Sequence, residues 1–599
     1  MFLVVYHSYL AGRSQPFLSN KQADSIINLL PGNFPRYFDS HIHSTNMDYY
    51  TGIPDPALIG YGRYSLDSIK YFNWKINRKR INNKGNNAKN YRQADYNTIN
   101  TSGASILCTS ISPIEKRFTK GFWKQLINHL IVTRFSSRRI KTTHAIPSYN
   151  EFIGEYRYTL AQSPTSADGN SKYITPVKNK QELIENFKMG HTSLLFSLEG
   201  GHILDGDSVT LNELYNYGIF SDTAQRDIMR HVDSIKSRPY HVFFITLAHF
   251  AWNGITGFCK TLDENNVGLR GALATLSGNE NFRIWLFKKY GDGILEYTYS
   301  DSVLGNECDY VRDTMRHKVG GDTPIIRTTF GFDVIKKLLD TAEGQKRVLI
   351  DVKHMDIKAR FQYYDSLDRY YPGTPIIFSH GAVSGKNRAY AEYTGLYPNF
   401  DIYREVQPPY KLAKDKERCR VVRGITYSDS LFWFYPWSIN LCNEEIPIIY
   451  NSDGIIGITL DDRLLGGGRP NYKSGKKNIK EFMKGLHRYS DKEIKTFLQM
   501  QPLFRNIFYL VQHSGRSDSS AWEHLVMGTD FDGFIKPVKY CKTASEIPKL
   551  WALLNKFLPL YEQYVYNDPT HKFLYGLSTK QIADNLIFKN GERFALKYF

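Results

Sequence analysis

Eight short apolar runs, each of strand length and most of them ending on a side chain able to bind a metal, constrain this 599-residue chain more than any other feature. They occupy 37–43, 104–111, 193–198, 241–248, 347–352, 375–379, 454–460 and 524–529. Between several of them lie amphipathic stretches of helical period, at 181–189, 332–341 and 357–370. Strands alternating with helices predict a parallel sheet. Eight of them predict an α/β fold, a (β/α)8 TIM-type barrel whose functional side chains gather at the carboxyl ends of the strands.

The spacing of the runs is uneven. Length alone suggests about four domains, but the entropy of closing a loop rises only logarithmically with its length. The long connections therefore read as insertions into one barrel spanning 1–599, near 50–100, 260–323, 388–451 and 463–523. Gly466-Gly467-Gly468 reads as a turn and not a phosphate loop, because Gly475-Lys476 is followed by Lys477 where that motif needs Ser or Thr. The stretch 579–599 reads as a helix with a stop at Asn590-Gly591.

Composition narrows the class of protein. An apolar share of 42% and a charged share of 23% suit a globular chain. No run of eighteen apolar residues is present, so no transmembrane segment is expected. The opening Met1-Phe2-Leu3-Val4-Val5-Tyr6 is interrupted by His7 and Ser8 and lacks a basic start, so no signal peptide is expected. Cys108, Cys259, Cys308, Cys419, Cys442 and Cys541 form no close pair, which argues against a disulfide framework and fits a reducing, cytoplasmic location. The net charge of +18 is densest over 70–92, around Arg78-Lys79-Arg80, with Tyr71, Phe72, Trp74 and Tyr91 nearby. That stretch reads as a solvated insert, and nucleic acid is not the expected partner.

The chemistry is carried by what ends the runs. His41 and His43 alternate on a run of strand character, so both imidazoles project the same way and can reach one ion. Glu199, His249, His354, His380 and Asp530 stand at the ends of other runs. Each alone has an ordinary explanation: His241 or His249 as a core histidine bonded to backbone, Glu199 as a helix cap, Asp530 as part of the Asp-Phe-Asp-Gly turn. Their recurrence at strand ends points instead to a metal site. Neutral imidazoles and carboxylates are ligands of zinc and related divalent ions. A carboxylate set among several histidines suits two ions, since it can bridge a pair about 3.5–4 Å apart.

The segments Asp39-Ser40-His41-Ile42-His43, Ser197-Leu198-Glu199-Gly200-Gly201-His202, Leu247-Ala248-His249, Ile350-Asp351-Val352-Lys353-His354, Ile377-Phe378-Ser379-His380 and Met527-Gly528-Thr529-Asp530-Phe531-Asp532-Gly533 resemble, in order, those of the membrane (renal) dipeptidase family. That family consists of binuclear zinc peptidases of the amidohydrolase superfamily, built on a (β/α)8 barrel. Thr328-Thr329-Phe330-Gly331 and Asn590-Gly591-Glu592-Arg593 are similar as well; the long inserts are not covered. The resemblance implies a metallopeptidase that takes a small substrate, a dipeptide, and cleaves its peptide bond with a hydroxide held between two divalent ions, zinc by family precedent. It makes His41 and His43 ligands of one ion, His354 and His380 ligands of the other, and Glu199 the bridge. His249 is set against the substrate carbonyl, and Asp530 beside the water whose proton it holds or accepts.

Two departures bear on the substrate. His43 stands where the family carries Asp, leaving the site one charge more positive. The arginine that grips the substrate carboxylate in the family is matched by Arg388 only across a short gap. A non-peptide amide, ester or lactone substrate therefore stays open, as does a non-catalytic barrel that binds an acidic polymer through its basic inserts. A homo-oligomer is compatible with all of these readings.

Overall fold

The structure is a computed structural model that describes residues 17–28, 36–45, 93–113, 147–161, 174–204, 221–249, 253, 255–257, 259, 330–341, 345–388, 434, 439–466, 470–533, 535–566 and 572–599. The expected insertion at 260–323 lies outside the described residues, as do most of those near 50–100 and 388–451, the basic stretch 70–92, and Cys308 and Cys419. Most of 463–523 is described and carries two helices, Pro470–Gly485 and Asp491–His513.

Among the described residues nine strands form one sheet: β1 Tyr37–Ile42, β2 Ala104–Ile111, β3 Ile174–Pro176, β4 Thr192–Glu199, β5 Val242–Thr246, β6 Leu349–Asp351, β7 Ile377–Gly381, β8 Ile455–Ile458 and β9 Leu525–Met527. Eight run parallel in the order β1-β2-β4-β5-β6-β7-β8-β9, and β3 pairs with β4 off this path. The two ends of the path meet. Ile42 bridges Phe531 in parallel, Asp530 N–H donates to His41 O at 2.9 Å, and His43 N–H donates to Phe531 O at 3.0 Å. With helices between the strands, this is the (β/α)8 barrel that the alternation predicts.

The strands form because their residues are buried on both faces; every residue of β1, β2, β4 and β5 is buried. The helices start where a side chain can take the first free N–H groups. Asn179 caps Lys180–Lys188, Ser221 caps Asp222–Lys236, and Asp356 caps Ile357–Tyr370. Ser490 and Glu493 form a reciprocal capping box on Asp491–His513. Among the described residues no helix is long and apolar enough to cross a membrane. The strand β3 has no counterpart among the apolar runs, being three residues long and closed by Pro176.

One apolar cluster fixes which end of the barrel is free. Phe38, Ile106, Leu195, Phe244, Leu349, Ile377, Ile455 and Val526, one from each barrel strand, pack with Phe594, Ala595 and Leu596 of the carboxyl-terminal helix Asn590–Tyr598. These strand residues lie in the first half or at the middle of their strands and none at a carboxyl end, so that helix plugs the amino end and leaves the carboxyl end for function. Here the expected stop at Asn590-Gly591 is corrected. The backbone continues from Thr579–Asp584 through a π-turn, Asn585–Lys589, into Asn590–Tyr598. The reason is tertiary. Asn590 Nδ2 donates to Trp522 O at 2.7 Å and Leu525 O at 2.8 Å, and a Cβ at Gly591 would fall 1.9 Å from Phe38 Cδ1, so the glycine serves close packing and not chain reversal.

Candidate metal centre

The carboxyl ends of six strands deliver seven side chains to one point. His41 is the penultimate residue of β1 with His43 just beyond the strand, Glu199 is the last residue of β4, and His380 lies within β7. His249, His354 and Asp530 follow β5, β6 and β9 by three residues each. His354 and Asp530 reach the point through left-handed backbone, with φ of 64° and 57°, and Asp532 has φ of 65°. Such conformations in non-glycine residues store strain that surrounding contacts must hold.

The carboxylate of Glu199 is the hub. Its Oε1 lies 3.4 Å from His41 Nε2, 3.4 Å from His354 Nε2 and 3.8 Å from His380 Nε2. Its Oε2 lies 3.4 Å from His43 Nε2 and 3.7 Å from His249 Nε2. Asp530 Oδ1 is 3.4 Å from His43 Nε2 and 3.9 Å from His41 Nε2, and its Oδ2 is 4.0 Å from His380 Nε2. The donor atoms of His41, His43 and Asp530 fall within 4.8 Å of one another, as do those of His41, Glu199 and His380 and those of Glu199, His249 and His354. A Cβ at Gly533 would fall 1.8 Å from Asp530 Oδ1 and 2.8 Å from His43 Cδ2, so only glycine leaves room for the Asp530 carboxylate where it stands.

Burial sets the charge state. It pushes the His354 imidazole down to about 3, His380 well below its usual range, and His43 down as well. These three contacts with Glu199 therefore join neutral rings to a carboxylate and are not ion pairs. At Glu199 burial alone would raise the carboxyl, but His249 and His41 outweigh it and hold the group well below the usual carboxylate range. Asp530 goes the other way. Burial lifts it well above the usual range, His41 pulls against that, and the charges of Glu199 and Asp461 add to the rise. Two acidic groups pushed in opposite directions is the pattern of divided roles in catalysis.

The donor set fits a divalent cation. Ligands at the about 2.0–2.1 Å of a zinc–imidazole bond, arranged tetrahedrally, stand roughly 3.3 Å apart. His41 Nε2 and His43 Nε2 are 3.2 Å apart. Two Nε2 atoms this close are held either by one hydrogen shared between them or by a cation that both lone pairs face.

Beneath the rings lie two buried carboxylates, each taken up by four donors. Asp39 Oδ1 accepts from His41 N–H at 3.1 Å and Thr529 N–H at 2.9 Å, and Oδ2 accepts from Thr529 Oγ1 at 2.5 Å and from the Tyr37 hydroxyl. Asp351 Oδ1 accepts from Lys353 N–H and Ser379 N–H at 3.0 Å each, and Oδ2 from Thr246 Oγ1 and Ser379 Oγ at 2.6 Å each. Asp532 holds the turn after β9: its Oδ2 accepts from Gln93 N–H and Ala94 N–H at 2.9 Å, while its own N–H donates to Gln93 Oε1 at 2.9 Å. The supporting roles of Asp351, Ser379 and Gln93 are not read from the sequence. The available signal is a charged residue inside an apolar run, Val348-Leu349-Ile350-Asp351-Val352, which a buried strand tolerates only when it is fully bonded.

All seven residues singled out as ligands or catalytic groups come together, whereas Arg388 is held by different contacts. It is exposed, its N–H donates to Glu444 Oε2 at 2.7 Å, and its guanidinium lies 3.9 Å from the centroid of the Phe361 ring.

No protein-family model matches the sequence, and no curated protein matches it. Solved structures do. A metallo peptidase from Rhodobacter sphaeroides, liganded with a phosphinate mimic of the dipeptide L-Ala-D-Ala, is 11% identical, covers 92% of this chain and 99% of its own, and gives a TM-score of 0.39. The probable dipeptidase PvdM from Pseudomonas aeruginosa is 12% identical, covers 97% of this chain and 98% of its own, with a TM-score of 0.41. An amidohydrolase from Pseudomonas aeruginosa is 12% identical, covers 84% and 91%, with a TM-score of 0.34. What those proteins bind is known of them; for this chain the case rests on its own side chains.

Proposed function

We propose that this chain is a metal-dependent, dipeptidase-like hydrolase that opens the peptide bond of a small substrate. The observation that carries the reading is that five imidazole Nε2 atoms stand within 3.8 Å of the single carboxylate of Glu199. In this reading His41 and His43 would hold one divalent cation, His354 and His380 would hold a second, and Glu199 would serve both. When bound, the pair of cations, zinc by choice of ligands, supplies an acidified water and a Lewis acid for the carbonyl.

The remaining steps belong to the protein. Asp530, lifted well above the usual carboxylate range, is a base strong enough to take the proton of that water and return it to the leaving nitrogen. His249 donates to the substrate oxygen as negative charge builds on it. Side-chain exposure supports this division: 12% for His249 and 11% for Asp530, against 0–5% for His41, His43, Glu199, His354 and His380. The two groups assigned to the substrate and the water are the most exposed of the seven.

Arg388 favours a second reading. Its guanidinium stacks on Phe361, and a substrate without a carboxylate, a non-peptide amide, ester or lactone, needs no clamp from it.

The test is a panel of dipeptides, amides, esters and lactones on protein stripped with chelator and reloaded with a defined metal. Hydrolysis of dipeptides that vanishes with chelator and returns with zinc supports the first reading. Turnover of the other substrates alone supports the second, and no turnover with no bound metal overturns both.

A further inference from the structure

Ser379 directly precedes His380, and its Oγ lies 2.6 Å from Asp351 Oδ2, 2.9 Å from His380 Nδ1 and 3.4 Å from His41 Nδ1. A carboxylate offers about four lone-pair positions. At Asp351 all four face donors, namely the N–H groups of Lys353 and Ser379 and the hydroxyls of Thr246 and Ser379. Burial raises the Asp351 carboxyl, while the bonds from Ser379 and Thr246 pull it back toward the ionised form; ionised, the carboxylate only accepts, and the Ser379 hydroxyl hydrogen points at it. What Oγ then offers the two rings is lone pairs. An Nδ1 that faces a lone pair must carry the ring hydrogen, which leaves Nε2 of the same ring bare.

We infer that Asp351, acting through the Ser379 hydroxyl, fixes the tautomer of both His41 and His380, so that each ring turns an Nε2 lone pair toward Glu199. One hydroxyl thereby serves a ligand of each cation in the proposed pair. Asp351 and Ser379 are positioning residues: neither touches substrate, and both act through the rings. The inference rests on the metal-centre reading, since only a centre that needs bare Nε2 atoms gives the tautomer a purpose.

Asp351→Asn tests it at nearly constant volume. The new amide N–H donates to Ser379 Oγ, the hydroxyl hydrogen turns to the rings, and His380 is driven to carry its hydrogen on Nε2. In the full-length, metal-free chain with 15N-labelled histidine, the expected result is a switch of the His380 Nε2 resonance from the pyridine-like to the pyrrole-like range. Zinc affinity by chelator competition is expected to fall about 10–100-fold. Ser379→Ala, which cuts the relay without touching the carboxylate, is the second variant, with a mixture of His380 tautomers and about a tenfold loss of affinity expected.

Asp39→Asn is the control, because Asp39 is equally saturated but its hydroxyl donors are Tyr37 and Thr529. It should lower the melting temperature and leave the His380 tautomer alone; the same switch in this variant would mean general loosening and would overturn the inference. A wild-type chain that binds zinc beside Asp351→Asn and Ser379→Ala chains that bind it equally well also overturns it, with the metal reading intact. A wild-type chain that binds no zinc removes the metal reading itself, and the inference with it.

Discussion

The Nε2 atoms of His41 and His43 stand 3.2 Å apart on rings inclined at 77°. The separation is that of two ligands on one cation, and the inclination lets both lone pairs converge without the rings colliding. His43→Ala removes one of them. Zinc affinity, measured by titration of chelator-stripped protein, is expected to fall at least about tenfold, a change of roughly 1.4 kcal/mol, while circular dichroism stays that of the wild type. Unchanged zinc binding would remove His43 from the centre.

Glu199→Gln changes the hub of the cluster by one charge and almost no volume. An amide cannot offer two anionic oxygens to opposite groups of imidazoles, so turnover is expected to drop by about a thousandfold or more, a barrier increase of roughly 4 kcal/mol. The barrel itself should persist, because Glu199 ends its strand and the apolar packing lies elsewhere. Retained activity in a folded variant would count decisively against the assigned centre.

Gly533→Ala places a methyl group where Asp530 Oδ1 now lies, 1.8 Å from an ideal Cβ. The carboxylate must swing away from His43 and out of reach of the water it is proposed to deprotonate. A displacement of about 1 Å at a reacting group costs on the order of a hundredfold in rate. The melting temperature should move by only a few degrees, since the turn sits at the rim. A variant with wild-type kcat/KM would show that the Asp530 position is not critical.

Acid should destabilise the fold partly through a histidine far from the centre. His241 is 6% exposed, and burial, helped by the charges of Lys346 and Lys236, pushes its imidazole down to about 3. In the unfolded chain the same ring takes its proton near the usual value of about 6.5. The unfolded state therefore binds the proton first as pH falls. The stability tied to the neutral ring is complete above 6.5 and is lost progressively between about 6.5 and 3, at a slope approaching 1.4 kcal/mol per pH unit. In His241→Gln, denaturant midpoints measured from pH 7 to pH 5 should decline less steeply by up to one proton's worth. An identical slope in both proteins would show that His241 is not the group responsible.

What the chain states locally is the kind of element and the residue that ends it. Alternation of buried runs with amphipathic helices is enough for a parallel barrel, and His41, Glu199, His249, His354, His380 and Asp530 are legible as strand-end residues because a barrel brings strand ends to one rim. Tertiary structure decided the rest, because it depends on register and on partners hundreds of residues away. Asn590-Gly591 carries the local signature of a helix end, and packing against Phe38, Trp522 and Leu525 overrides it. Asp351 looks like a lone charge in an apolar run until the register that sets it opposite Thr246 and beside Ser379 supplies its donors. Which ring nitrogen faces the centre follows from those cross-strand bonds. A hydrogen bond forms only where distance and direction are both met, and no single stretch of the sequence holds both ends of it.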